Sequence, residues 1–219
     1  VSDIIKLTLA LCIIASLAGL AIGFTYSKTE SAIAAQQQQA QNSALQNVLP
    51  AADTVIPRSG QEPLPQMYWE AQQNNQTIAY AFLVSSRGYS SDIRMMIGVD
   101  TNGTIMGLTV MEQGETPGLG TRMVELPATR YIWNGLFGPA DTLKPWFCEQ
   151  FEGLSISQPI SMDKTAEWHA MTAQQRSQLE QRNGVTVITG ATISTKAVIN
   201  GLQSEVTGYL DALRGRKAL

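Results

Sequence analysis

Histidine and cysteine are scarce in this 219-residue chain: His169 stands alone, and the two cysteines are Cys12 and Cys148. No Cys-x-x-Cys and no Cys-x-x-Cys-His occurs, so zinc, haem and iron–sulfur ligation are poorly supplied. Cys12 lies inside an apolar run and Cys148 far outside it, so the two are not expected to pair. An electron carrier built on this chain needs an organic cofactor. Charge is thin as well, at 15% of residues, and the formal net charge is -3. That leaves no basic stripe to neutralise phosphates, which argues against a nucleic-acid partner. No nucleophile–base pair or paired carboxylate stands out, so an enzyme with its own small substrate lacks support.

One absence is local. Between Leu7 and Phe24 there is no charged residue, and the apolar stretch extends from Ile4 to Tyr26. About twenty residues rising about 1.5 Å each span a hydrocarbon core of about 30 Å. A cleaved signal is the alternative, but the run is long for one and no clear small-x-small cleavage site precedes the polar stretch. A retained anchor over residues 1–27 is expected. Lys6 and Lys28 flank it evenly, so charge does not orient it. The chain starts at Val1 instead of Met, so earlier residues could bear on that orientation.

An Ala/Gln-rich stretch follows. Ile33, Ala40, Ala44, Leu45, Val48 and Leu49 recur at helical spacing until Pro50. It reads either as a helical stalk docking by its Leu45/Val48/Leu49 end or as a low-complexity linker. Residues 51–66, with Pro57, Pro63 and Pro65, read as loop. Ile78 to Ser85 reads as a buried strand and Arg87-Gly88-Tyr89 as a turn. Ile93 to Val99 and Ile105 to Met111 flank Asn102-Gly103, a pair that tolerates the positive φ of a hairpin turn. The core therefore opens as an antiparallel sheet, not as alternating βαβ units.

The run Gly114 to Thr121 is neither Gly-x-Gly-x-x-Gly nor a P-loop with its lysine. It is either a plain Pro-Gly turn or a rigid loop whose main chain can approach a flat ring. Leu126 to Gly138, with Tyr131, Trp133 and Phe137, reads as a short helix or loop. Trp146 to Phe151 is expected on the core. Residues 161–182 are polar with weak helical spacing, and His169 there reads as a surface residue. Val185 to Ile188 is the last strand. From Ser194 a helix is clear, with Val198, Leu202, Val206, Tyr209, Leu210 and Leu213 on one face and a basic end that suits its dipole.

Between strand and helix lies Thr189-Gly190-Ala191-Thr192-Ile193-Ser194-Thr195. A β-branched run, a small-residue turn and a hydroxyl-rich helix start together suit an anion, because free amides and the dipole converge there. Four hydroxyls in seven residues exceed what one cap requires, although Thr192 or Ser194 is a plausible N-cap. An ordinary strand–helix connection remains the plainer alternative.

Thr-Gly-Ala-Thr followed by x-Ser resembles the flavinylation motif of FMN-binding-domain proteins. That family includes the G subunit of the Rnf electron-transport complex and the C subunit of sodium-translocating NADH:quinone reductase. The resemblance covers nearly the whole chain: an anchor, a stalk ending in Val48-Leu49-Pro50, Gly88-Tyr89 before a strand, Glu115 to Gly120, and Gln150-Phe151-x-Gly153. It is strongest to the Rnf G subunit.

The resemblance implies an α+β fold: an antiparallel-sheet FMN-binding domain with flanking helices over 61–219, a stalk and linker over 28–60, and one N-terminal transmembrane helix. It implies FMN esterified through its phosphate to Thr192 by a separate flavin transferase. Thr189, Gly190, Ala191, Ser194 and Thr195 would surround the attachment, and Glu115, Thr116, Pro117, Gly118 and Leu119 would lie beside the isoalloxazine. It further implies a single pass through the inner (cytoplasmic) membrane, with the domain on the extracytoplasmic side and other membrane subunits as partners. Electrons would pass within an ion-translocating ferredoxin:NAD oxidoreductase complex. A component of the quinone reductase, or a non-redox tethered interaction domain, are the alternatives. Two positions depart from the family pattern. Thr186 stands where an acidic residue is usual, and Gln113 where a histidine is frequent.

Overall fold

Alternation builds the central sheet in the computed structural model, which describes residues 2–49, 52–126 and 144–217. In β3 (Gln76–Arg87), Tyr80, Phe82 and Val84 point to one face, and Ala79 and Ala81 to the other. In β4 (Asp92–Asp100), Met95, Ile97 and Val99 join the first face and Met96 the second. Both faces are therefore buried, one lined by large side chains and the other mainly by alanines, with Trp69 and Met96 among them. With β1 (Thr54–Ser59), β2 (Met67–Gln73) and β5 (Ile105–Glu112) these strands form an antiparallel meander in sequence order. The expected antiparallel α+β core is present. The expected aromatic segment at Tyr131, Trp133 and Phe137 lies outside the described residues, as does Pro50.

Two stretches differ from their reading. Residues 51–66 contain β1, a mostly exposed edge strand that carries Pro57 opposite Trp69. An edge strand tolerates a residue with no amide to donate. The last strand is shorter than expected, β7 (Gly184–Thr186), and it stands outside the main sheet. It pairs in parallel with β6 (Ser161–Asp163), a three-residue strand that the polar sequence did not signal. The β4–β5 connection turns as expected, with Gly103 at φ +94. Its geometry is fixed by Asp100, whose Oδ1 accepts from the amides of Asn102 and Thr104 at 2.8 and 2.7 Å.

The anchor and stalk form a single helix, α1 (Ser2–Val48), so the Gln-rich part is helical and not a loose linker. It is the one helix among the described residues that is long and apolar enough to cross a membrane. The chain divides into two units, residues 1–43 and 44–219. Within the second, the last turn of α1 lies on the small-residue face. Val48 is fully buried and Leu49 nearly so, beside Trp69, Ala71, Ala79 and Ala81. Gly98 and Gly107 are paired across β4 and β5 directly beneath it. A Cβ on Gly98 would lie 1.9 Å from the Val48 carbonyl oxygen, and one on Gly107 would lie 2.8 Å from that of Asn47.

The large-residue face is covered by the C-terminal helix and by α2 (Trp146–Glu149), whose Trp146, Phe147 and Cys148 are buried as expected. The C-terminal helix runs as α4 (Thr192–Gly201), a π-helical turn over Leu202–Val206, and α5 (Thr207–Lys217). Val198, Leu202, Val206, Leu210 and Leu213 face the core at the anticipated spacing. α3 (Ala173–Gln181) begins with a capping box between Thr172 and Gln175. These packing decisions bring the start of α4 to the edge where β3 and β5 end and β4 begins.

Candidate functional site

The turn before α4 depends on Gly190, which sits at φ +80 and whose added Cβ would meet Leu119 Cδ2 at 2.8 Å. A side chain there is both strained and crowded. Ala191, not Thr192 or Ser194, occupies the N-cap, and no side chain caps the helix. The expectation of a hydroxyl cap fails because the helix begins at Thr192 itself, which puts Thr192 and Ser194 inside its first turn and leaves Ala191 at the cap. The first helical amides are thus left open to a ligand.

Each hydroxyl has a traceable fate. Thr195 is fully buried; its Oγ1 accepts from the Ile188 amide and donates to the Ala191 carbonyl, both at 3.2 Å. Ser194 is buried and donates to Glu115 Oε2. Thr189 faces Glu167, donating its amide to Oε1 at 3.1 Å and adding its hydroxyl. Thr192 is half-buried, and its hydroxyl has no hydrogen-bond partner among the described residues.

Glu115 is the hub. It is only 4% exposed. Its Oε1 accepts from the Ser90 and Ser91 amides at 3.0 and 3.1 Å, and its Oε2 from the Tyr89 amide at 3.3 Å besides Ser194. Burial pushes this carboxyl up, but the Ser194 hydroxyl and the amides of Ser91, Ser90 and Tyr89 outweigh it and hold it below the usual carboxylate range. Gly88 and Gly120 close around it: added Cβ atoms would come within 2.5 Å of Glu115 Oε1 and 2.6 Å of its Cβ. Three separated motifs, at Gly88, at Glu115–Gly120 and at Ser194, therefore converge on one carboxylate. Gln113 has a local task, accepting the Glu115 amide at 2.8 Å.

A second carboxylate went unnoticed in the sequence. Glu167 takes a bidentate grip from Arg122 at 2.6 and 2.8 Å, and it holds the Thr189 amide on its other side. The Arg122 guanidinium, working against burial and joined by Thr189, pulls the Glu167 carboxyl down to about 2. Arg122 belongs to the 3-10 turn Gly120–Val124, so the loop after Glu115 is tied to the turn before α4. Forty-five positions separate the pair, and no local motif marks it. His169 is exposed, as expected, with Nε2 3.5 Å from Glu167.

Thr186 is fully buried. Its amide and hydroxyl donate to Gln150 Oε1 at 2.7 and 3.1 Å, and its Oγ1 accepts from the Trp168 amide. This departure from the family pattern is satisfied by neutral partners, and the side chain is beyond the reach of any visiting protein.

Around these groups lies a cavity of about 440 Å³, lined by Tyr89, Glu115, Thr116, Leu119, Gly120, Gly190, Ala191, Thr192, Ile193 and Ser194. Thr189, Thr195, Pro117 and Gly118 do not line it. They build its frame, Gly118 by turning at φ +75 and donating to Thr121 Oγ1. The walls at Leu119, Ile193 and Tyr89 are exposed and apolar, while the Thr192 end has a hydroxyl with no partner among the described residues and a helix start without a side-chain cap. That division fits a flat ring carrying a phosphate, in a volume typical of cofactor sites, about 300–1,000 Å³.

Fold and cavity define an antiparallel α+β ligand-binding domain, preceded in the chain by a helix able to cross a membrane. The chain belongs to the FMN-binding domain family, whose model matches residues 88–206; the model for the RnfG N-terminal region matches residues 2–48. It is similar to the G subunit of the Na(+)-translocating ferredoxin:NAD(+) oxidoreductase complex of Acetobacterium woodii. Identity there is 26%, over 94% of this chain and 91% of that protein. It is also similar to the G subunit of the ion-translocating oxidoreductase complex of Haemophilus influenzae, at 30% identity over 80% of this chain and 73% of that one. Among solved structures, the C subunit of the Na(+)-translocating NADH-quinone reductase from Parabacteroides distasonis is 26% identical, covering 66% of this chain and 62% of that one, with a TM-score of 0.42.

Proposed function

We propose that this chain is a membrane-anchored electron-transfer subunit of an ion-translocating ferredoxin:NAD oxidoreductase complex, with FMN esterified through its phosphate to Thr192. The observation that carries the attachment point is the fate of the four hydroxyls. Thr189, Ser194 and Thr195 are committed to the frame, whereas Thr192 lines the cavity and its hydroxyl has no partner among the described residues. The family supports the cofactor, and the G-subunit relatives support the complex.

FMN, when bound, supplies reversible acceptance and release of electrons, and the redox chemistry is its own. The chain supplies position. The open amides at the start of α4 and the helix dipole would hold the phosphate oxygens. Lys196, exposed and one helical turn beyond Thr192, would add a nearby positive charge. Leu119, Ile193 and Tyr89 would flank the ring and exclude water from its faces. A covalent tether keeps the cofactor in place where free flavin cannot be relied on.

Residues 1–27 would form a single pass through the cytoplasmic membrane, the domain would lie on the extracytoplasmic side, and the other membrane subunits would be its partners. A flavin transferase would load Thr192. Co-expressing the chain with such an enzyme, denaturing it and viewing the gel under ultraviolet light tests the attachment. A fluorescent band is expected, together with a mass excess of FMN minus water on the peptide containing Thr192. A dark wild-type band, or a band that persists in Thr192→Ala, rejects the attachment at Thr192.

A further inference from the structure

Glu115 is a buried full charge without a counterion. Its oxygens meet four donors, three backbone amides and the Ser194 hydroxyl, all of them neutral groups. Among the described residues, no ion pair includes it. These donors hold a buried carboxylate in its ionised form, but dipoles do not cancel its charge. Glu115 is also one of the residues that line the cavity. Whatever occupies that cavity sits beside a permanent negative charge, in surroundings where water screens it poorly.

We infer that Glu115 is a redox-tuning residue, whose fixed negative charge shifts the flavin's reduction equilibrium toward the oxidised form. The inference rests on FMN being held at Thr192. At pH 8, two-electron reduction adds two electrons and one proton to the ring and leaves it with one negative charge, which Glu115 repels. The three backbone amides and Ser194 act through the carboxylate: each donor spreads part of its charge and weakens that repulsion.

The flavin-loaded protein tests this by titration against an electrode-poised mediator at pH 8, read by flavin absorbance. Glu115→Gln removes the charge and keeps the shape; the equilibrium is expected to move roughly tenfold or more toward reduced flavin. Ser194→Ala removes a donor and leaves the charge, so it is expected to move the equilibrium the opposite way, by a smaller factor. Loosened packing alone would shift both variants in the same direction. Shifts of the same sign, or no shift in either, overturn the inference. If Glu115→Gln does not fold, Ser194→Ala decides alone, and a shift toward reduced flavin or none overturns it. Flavin content is read first on the gel. A wild-type chain without flavin rejects the Thr192 reading, whereas a loaded chain with unmoved equilibria rejects only the tuning.

Discussion

The small-residue face of the central sheet and its cavity edge are held by different physics. Beneath the last turn of α1, the Gly98–Gly107 pair and three alanines make a seat in which every partner is apolar or backbone. At the cavity edge, Glu115 and Glu167 gather amides, hydroxyls and a guanidinium from stretches far apart in sequence. The seat is defined by what is missing, a Cβ. The edge is defined by charge. A steric joint should break with volume and ignore pH, and an electrostatic joint should do the reverse.

The sharpest break should come at the seat. Gly98→Val places a branched side chain where even one carbon would meet the Val48 carbonyl at 1.9 Å. Either the helix end lifts from the sheet or the strands part, at a cost of about 3 kcal/mol or more. Thermal melts of the full chain in detergent should show the loss equally at pH 5 and pH 8. A loss that changed between those two values would contradict a purely steric seat.

Arg122→Ala should rank second. It strands Glu167 beside Thr189 and costs roughly 2–3 kcal/mol at neutral pH, between surface and buried ion pairs. Here pH matters, and its sign is fixed. Glu167 is depressed to about 2 from an unfolded value of 4.5, so its contribution is complete above about 4.5 and fades as pH falls toward 2. The gap between wild type and variant should therefore shrink in urea titrations at pH 3. A gap that stays constant from pH 7 to pH 3 would remove the electrostatic account of this edge.

Much of the sheet was legible, and of the seat only the docking end at Leu45, Val48 and Leu49, not the glycines beneath it. Ile78 to Ser85 is an apolar run, Asn102-Gly103 marks a hairpin, and Val198 through Leu213 keep a helical period, so local pattern found β3, β4, β5 and the C-terminal helix. β1 escaped because it is exposed and holds Pro57, which leaves no alternation to read. β6 escaped because three polar-flanked residues carry no period. At the cavity edge, the Glu115 loop could be singled out, but not its task. A side chain that turns back to amides 24–26 positions earlier and to a serine 79 later leaves no local trace. Glu167 and Arg122 left none at all. The hydroxyl cap failed because the helix starts one residue earlier than propensity suggests: Thr192 is already helical, Ala191 takes the cap, and Ser194 is claimed by Glu115.

Thr186→Val sharpens the comparison from a third position, because the edge also contains a neutral buried network. The substitution keeps the shape and removes the hydroxyl that joins Gln150 to the Trp168 amide. One buried donor is left without its acceptor, at a cost of about 1–2 kcal/mol. With no titrating group involved, chemical denaturation should give the same loss from pH 5 to pH 8. A pH-dependent loss would mean that this network feels Glu167 through Trp168.

The smallest effect should fall on the residue with the greatest functional weight. Hydroxyls at the start of a helix usually cap it, and replacing a capping threonine with alanine costs about 0.5–2 kcal/mol. Thr192 is the first residue of α4 and Ala191 is its cap, so Thr192 carries none of that duty. Its hydroxyl also has no partner to lose among the described residues. Thr192→Ala in flavin-free protein should therefore change stability by less than about 0.5 kcal/mol and can gain slightly, since alanine is the better helix former. Urea unfolding of the two flavin-free proteins measures this directly. A loss in the capping range would mean that the Thr192 hydroxyl belongs to the frame after all. A near-zero result would leave it as a group that the fold keeps available and spends on nothing else.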